Sequence, residues 1–85
     1  MRARPRYRIC TWTSRYWFVE ELLDSRWVRA TEAKVTQTWG IVEVNTEAPV
    51  ARATREECEK WIDEQLRSHD AMVAYLNANP PREYP

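Results

Sequence analysis

The order of apolar and polar residues divides the chain into a strand-rich first part and a helical last part. Residues 6–12 alternate with the period of two that is typical of a strand. One face of this predicted strand carries Tyr7, Ile9 and Thr11, and the other carries Arg6, Arg8, Cys10 and Trp12. The short polar segment at 13–15 predicts a hairpin turn into the next strand.

A second and a third strand are predicted from the segments that follow. Residues 16–23 are rich in aromatic and β-branched side chains, which favour strands. Within them, residues 20–23 alone would also suit a helix. The turn pair at 24–25, followed at once by renewed strand chemistry, favours the strand. The third strand is predicted at 26–30.

The chain has a single glycine, Gly40, and it lies inside a fourth predicted strand at 35–44. An isolated glycine within a strand indicates a bulge, a sharp bend or a close backbone approach. The neighbouring segments are predicted as a polar connection at 31–34, a loop at 45–49 and a short edge strand at 50–53.

The start of a helix is the clearest local signal in the sequence. Thr54 is a good N-cap residue, and Glu57 three residues later completes a capping box. From Ile62 onward, apolar residues recur at spacings of four and three, which keeps them on one helical face. The helix is predicted over 54–77 and ends before the proline pair at 80–81.

Such a helix is longer than the predicted strands. It would span about 36 Å at 1.5 Å per residue, whereas a five-residue strand covers only about 17 Å. Residues 72–76 are therefore expected to overhang the sheet. The alternative is a break at 68–70, where Ser68 or Asp70 would cap a second short helix that folds back.

Together these elements predict one α+β domain, since 85 residues are enough for a single domain only. The predicted fold is an antiparallel β-meander of three to five strands packed against one long C-terminal helix. Its parts are a basic arm at 1–5, the meander at 6–53, the helix at 54–77 and an extended tail at 78–85.

The charges balance overall but not locally. There are 13 basic and 13 acidic side chains, so the formal net charge is zero. This balance removes the simplest argument for a nucleic-acid or membrane binder. The first 15 residues nevertheless carry five arginines and no acid: Arg2, Arg4, Arg6, Arg8 and Arg15.

No constellation in the sequence predicts catalysis, so we expect a protein that is not an enzyme and that needs no metal or cofactor. Cys58 and His69, the only histidine, lie eleven residues apart on the predicted helix, or about 16 Å. Two cysteines and one histidine match no zinc pattern. Adjacent acids point apart, and one glycine cannot build a phosphate loop.

The two cysteines and the N-terminal residues indicate in which cellular compartment the protein is expected. Neither a signal peptide nor an apolar run long enough for a membrane span is recognisable. We therefore expect a cytoplasmic protein whose Cys10 and Cys58 are free thiols. A single Cys10–Cys58 disulfide is the alternative.

Recognition of another protein is the predicted activity. The chain has five tryptophans and far more arginine than lysine, and interfaces favour tryptophan, tyrosine and arginine over lysine. A second copy of the chain or a foreign protein could cover the overhanging helix. The predicted partner-binding residues are Trp17, Trp27, Glu56, Glu59, Asp63, Glu64, Met72, Tyr75 and Leu76.

Two segments, at 15–29 and 54–62, resemble the hairpin and helix start common in small bacteriophage and prophage accessory proteins. Many of those proteins are interaction modules, and some block host defence, as anti-CRISPR proteins do. The resemblance implies a phage or mobile-element protein that inhibits a host protein or defence complex in the host cytoplasm. The alternative function is nucleic-acid binding through the arginine-rich N-terminal arm: Arg2, Arg4, Arg6 and Arg8.

Overall fold

A computed structural model describes residues 4–84, except for the side chains of residues 35–38 and 41–46. Antiparallel strands pack against one C-terminal helix, which confirms the predicted α+β class and the meander. In chain order the elements are β1 Tyr7–Thr13, β2 Tyr16–Leu23, β3 Arg26–Arg29, β4 Thr31–Thr38, β5 Ile41–Pro49, β6 Ala51–Arg52 and α1 Arg55–Ala78.

Strand β2 is the centre of the main sheet. It pairs with β1 along one edge, while β3 and the short β6 share its other edge. Between β3 and β6, three backbone hydrogen bonds close a junction: Val19 N donates to Val50 O (3.3 Å), Ala30 N to Val19 O (3.0 Å) and Val50 N to Ala30 O (2.9 Å). The chain leaves the sheet at Ala30 and returns at Val50.

The segment between these two residues is a two-stranded hairpin, β4–β5. We call this hairpin the arm, and it is distinct from the basic N-terminal residues 1–5. Trp39 and Gly40 form its turn with φ of 55° and 76°, and a two-residue hairpin turn of type I′ requires positive φ at both central positions. The prediction of one continuous strand at 35–44 is therefore wrong, although the sharp bend that Gly40 indicates is present as the turn of the hairpin. The predicted connection at 31–34 and loop at 45–49 are also strand.

The physical reason for this error is the residue before the glycine. Left-handed backbone costs a bulky L-residue such as Trp39 on the order of 1–2 kcal/mol, so tryptophan is not a turn signal. A β-bulge does occur in this hairpin, but at a different position from Gly40. The register shifts between Lys34 and Val35, where Asn45 is the extra residue on β5.

At its base the arm is tied to the sheet by an ion pair. Both terminal nitrogens of Arg52 donate to the carboxylate of Glu32 at 2.8 Å. These hydrogen bonds lower the pKa of Glu32 below its ordinary value and raise that of Arg52. The paired fork geometry fixes the direction in which β4 leaves the sheet.

The helix is continuous, so the alternative break at 68–70 does not occur. Thr54 is the N-cap predicted from the sequence, because its hydroxyl oxygen accepts a hydrogen bond from the backbone N–H of Glu57 at 3.2 Å. The helix ends at Ala78, where the N–H of Asn79 donates to the carbonyls of Tyr75 and Leu76.

The core lies between the first half of the helix and one face of the sheet. Its buried members are Val19, Ala30, Val50, Cys58 and Trp61. Tyr7 packs edge-on against Trp61, with ring centroids 5.6 Å apart. Beyond Ile62 the helix buries no residue completely. The radius of gyration is 16.6 Å, above the roughly 12 Å of a compact chain of this length, because the arm and the helix end project.

The turn between β2 and β3 generates a stability prediction. Asp24 and Ser25 both have positive φ, at 49° and 66°. Ser25→Gly should raise the free energy of unfolding by roughly 0.5–1 kcal/mol, because glycine adopts this conformation without strain. Urea denaturation measures the change.

Ser14→Gly is the matched control. Ser14 lies in the β1–β2 turn and has no positive φ, so glycine there relieves no strain and should leave stability unchanged or lower. Equal gains at both serines would contradict the assignment of strain to the 24–25 turn.

Candidate functional site on the open face of the sheet

The helix covers only one face of the sheet. Ile9 and Val19 face it, so the residues next to each of them along their strands face away. We call this second surface the open face. The strand register brings these pairs together on it: Arg8 with Glu20, Cys10 with Phe18, Glu20 with Arg29, and Leu22 with Trp27.

One half of the open face is a cluster of three aromatic rings and one arginine. Trp12 stacks on Tyr16 with centroids 5.5 Å apart and meets Phe18 edge-on at the same distance. The Arg29 guanidinium carbon lies 4.1 Å from the Phe18 centroid, and an Nη of Arg29 donates to the Tyr16 hydroxyl at 2.5 Å. Phe18 is only 7% exposed although no helix covers it. The other side chains of the cluster therefore shield Phe18 from solvent.

The other half of the open face is organised by Glu20. Its Oε1 accepts hydrogen bonds from Arg8 Nε at 2.8 Å and from the Cys10 thiol at 3.1 Å. The Arg8 guanidinium also lies over the Trp27 ring, 4.5 Å from its centroid. The hydrogen bonds from Cys10 and Arg8 lower the pKa of Glu20, and burial together with Glu20 raises the pKa of Cys10.

These shifts define what the open face can do chemically. A carboxylate held ionised and a thiol held protonated serve poorly as a general acid or a nucleophile near neutral pH. The open face also presents flat aromatic surface and guanidinium groups that are held by hydrogen bonds and ring contacts. Trp12 is its most available part, being 74% exposed.

The two arginines of this face differ in their partners. Arg8 is paired with Glu20, but none of the ion pairs among the described residues includes Arg29. Arg29 Nε is buried without a hydrogen-bond partner, while the rest of the guanidinium stacks on rings. Its charge is thus positioned by the aromatic cluster, and it acts on the neighbouring Glu20 carboxylate without forming an ion pair with it.

The predicted partner-binding residues fall on separate surfaces. Trp17 packs half-buried against the core, and Trp27 is half-buried on the open face beneath Arg8. Four acids are exposed on the helix: Glu56, Glu59, Asp63 and Glu64. The helix end exposes Met72, Tyr75 and Leu76 by 42%, 66% and 42%. The structure thus brings Trp27 to the open face and leaves the helical residues apart from it.

The arginines of the alternative function are also dispersed. Arg2 lies outside the described residues. Arg4 forms an exposed ion pair with Asp70 at 3.1 Å, Arg6 is exposed, and Arg8 is engaged by Glu20. The three described arginines therefore do not form one continuous basic strip of unpaired charge.

Cys10 and Cys58 are both free thiols, as predicted, so the alternative disulfide is not formed. Cys10 lies on the open face, whereas Cys58 is buried on the opposite side of the sheet. Among the described residues, no three histidine, cysteine or acidic side chains come together in a group that could hold a metal ion.

Sequence reasoning missed the most distinctive residues of the site: Trp12, Tyr16, Phe18 and Arg29. A signal was present, since Trp12 was placed on the same strand face as Arg8 and Cys10. The sequence does not reveal the strand register. Only the pairing of Cys10 with Phe18 and of Glu20 with Arg29 joins the two halves of the open face.

Within residues 4–84, no helix has both the length and the apolar composition needed to cross a membrane. Comparison with protein-family models, with curated proteins and with solved structures finds no match.

The packing of Arg29 on Phe18 generates a prediction. Arg29→Ala should lower the free energy of unfolding by about 1–2 kcal/mol, because it removes a cation–π contact and uncovers an apolar ring. Arg15→Ala, at an exposed turn position, is the control and should change stability by less than about 0.5 kcal/mol. Equal costs in urea denaturation would show that Arg29 is an ordinary surface residue.

The lowered pKa of Glu20 predicts an acid dependence of stability. As pH falls, the unfolded chain takes up the Glu20 proton before the folded protein does, so stability falls until the folded pKa is passed. Glu20→Gln should flatten this decline in unfolding experiments across acid pH. Glu32→Gln should remove a second, independent contribution to the decline, since Arg52 lowers the pKa of Glu32. An unchanged pH profile in both variants would contradict the assigned hydrogen bonds.

Proposed function

We propose that this protein binds another protein through the open face, with Trp12 and Arg29 at the centre of the contact. The observation that carries the proposal is an aromatic and arginine cluster on a sheet face that the protein's own helix leaves uncovered. Tryptophan, tyrosine and arginine dominate the binding energy of protein interfaces. Trp27, beneath Arg8, extends the same surface.

Rigidity supports this assignment. The Trp12 and Tyr16 rings are stacked, and Arg29 is held by Phe18 and by the Tyr16 hydroxyl. Side chains that are fixed before binding lose little conformational entropy in the complex. An anionic side chain of the partner would complement Arg29, which has no acidic partner among the described residues.

The wider role that we propose follows the resemblance to phage accessory proteins. The protein would act in the host cytoplasm as an inhibitor that occupies the surface of a host protein or defence complex, as anti-CRISPR proteins do. The exposed acids of the helix, Glu56, Glu59, Asp63 and Glu64, would form a second contact with a basic groove of the same target.

A second candidate function is binding of single-stranded nucleic acid. One observation favours it: the exposed ring of Trp12 lies beside the Arg29 guanidinium, and bases stack on aromatic side chains next to basic groups. The N-terminal arginines Arg2, Arg4, Arg6 and Arg8 would then add phosphate contacts. The zero net charge weighs against it, because affinity for a polyanion depends on a basic surface.

The proposal predicts how binding responds to substitution. Tagged wild-type protein incubated with bacterial lysate should retain a protein partner, identified by mass spectrometry of the cross-linked complex. Trp12→Ala and Arg29→Ala should each weaken retention at least about tenfold, the cost of a hot-spot residue. Tyr84→Ala is the matched control, since Tyr84 is 97% exposed in the tail, and it should bind like wild type.

The inhibitory role has its own readout. Expression of the wild-type protein in a host with active CRISPR immunity should restore phage plaques, and the Trp12→Ala variant should not. Equal retention of the partner by Trp12→Ala and wild type would contradict the open face as the contact. Recovery of nucleic acid alone, with affinity that falls steeply with salt, would favour the second candidate.

A further inference from the structure

The two projecting ends of the molecule are the two longest uncharged runs in its sequence. Residues 35–42 form the tip of the arm, and residues 71–81 include the last turns of the helix. Charged residues make up 31% of the chain, and these runs of eight and eleven residues contain none. An uncharged projecting surface loses less hydration free energy in a contact than a charged one, so both ends suit an interface.

Each end also exposes large apolar side chains. Trp39 at the arm tip is 95% exposed, so no other part of the chain covers it. The helix end exposes Met72, Tyr75 and Leu76. Trp39 also holds an unfavourable backbone conformation with φ of 55° in a turn where asparagine would be relaxed. A strained bulky residue that is almost wholly exposed suits a contact with another molecule.

We propose that the arm tip and the helix end bind each other between two copies of the chain. In a two-fold dimer, Trp39 of one copy packs on Met72, Tyr75 and Leu76 of the second, and the reverse contact forms at the same time. Such an arrangement is isologous, so it closes at two copies and does not continue into a filament.

Three observations favour a second copy as the occupant. Both surfaces are present in the same chain, and both expose large apolar side chains in the single molecule. The zero net charge adds no repulsion between copies. Burial of Trp39 and of the remaining exposed area of the helix-end residues, twice over, comes to on the order of 1,000 Å², the lower limit of a stable interface.

The arm itself gives a further reason. It forms a two-stranded sheet of its own that contacts the rest of the molecule little beyond its base. A lone two-stranded hairpin is marginally stable in water. Contact with a second copy would hold its tip in place. This proposal is independent of the proposed function, since it uses none of the residues of the open face and leaves that face available to a partner protein.

Sedimentation velocity over a hundredfold range of protein concentration tests the proposal. Wild-type protein should show a reversible monomer–dimer equilibrium. Trp39→Asn should weaken dimerisation at least about tenfold. Thermal unfolding at concentrations where both proteins are monomeric should show a fold at least as stable as wild type, because asparagine suits the turn. Tyr75→Gln with Leu76→Gln should weaken it similarly. Tyr84→Gln, which alters an exposed aromatic residue of the tail, is the control and should dimerise normally.

Mixing the two defective variants identifies the contact. A heterodimer of Trp39→Asn with the Tyr75→Gln, Leu76→Gln variant keeps one contact with both surfaces intact, so the mixture should associate more strongly than either variant alone. A contact of tip with tip, or of helix end with helix end, gives no such recovery. A wild-type protein that stays monomeric throughout, or a mixture without recovery, would overturn the proposal.

Discussion

Strand β2 carries apolar side chains on both of its faces, and both must be shielded from solvent. The rest of the structure follows from how each face is shielded. On one side, Val19 is completely buried beside Cys58 and Trp61 of the helix. On the other side, Phe18 is almost as well buried, but Arg29 and its neighbouring rings cover it. With so few residues, the chain has one helix for one face and long side chains for the second.

This division of cover explains why the open face is a candidate for recognition. A sheet face covered by a helix is closed to partners, whereas one covered by aromatic rings and guanidinium groups still presents them at the surface. Trp12 and Arg29 stabilise the fold and remain within reach of a partner. The same cluster can thus serve stability and binding, and separating the two requires measurements of both in each variant.

The predictability of the fold differed from element to element. Local signals located β2, the N-cap at Thr54 and the long helix, because each depends on neighbours in sequence. The arm was misread, because its turn places Trp39 where asparagine is expected, and only the tertiary structure shows two strands there. The open face could not be assembled from sequence, since its residues lie on three strands whose register depends on non-local pairing.

If the protein binds its partner as proposed, the open face contacts the partner and the helix-covered core does not. The most direct measurement is the set of tryptophan indole N–H signals in a nitrogen–proton NMR spectrum, recorded with and without the purified partner. The account predicts that the Trp12 and Trp27 signals shift or broaden on binding and that the signal of the buried Trp61 stays in place. Binding that leaves Trp12 and Trp27 unchanged would contradict it.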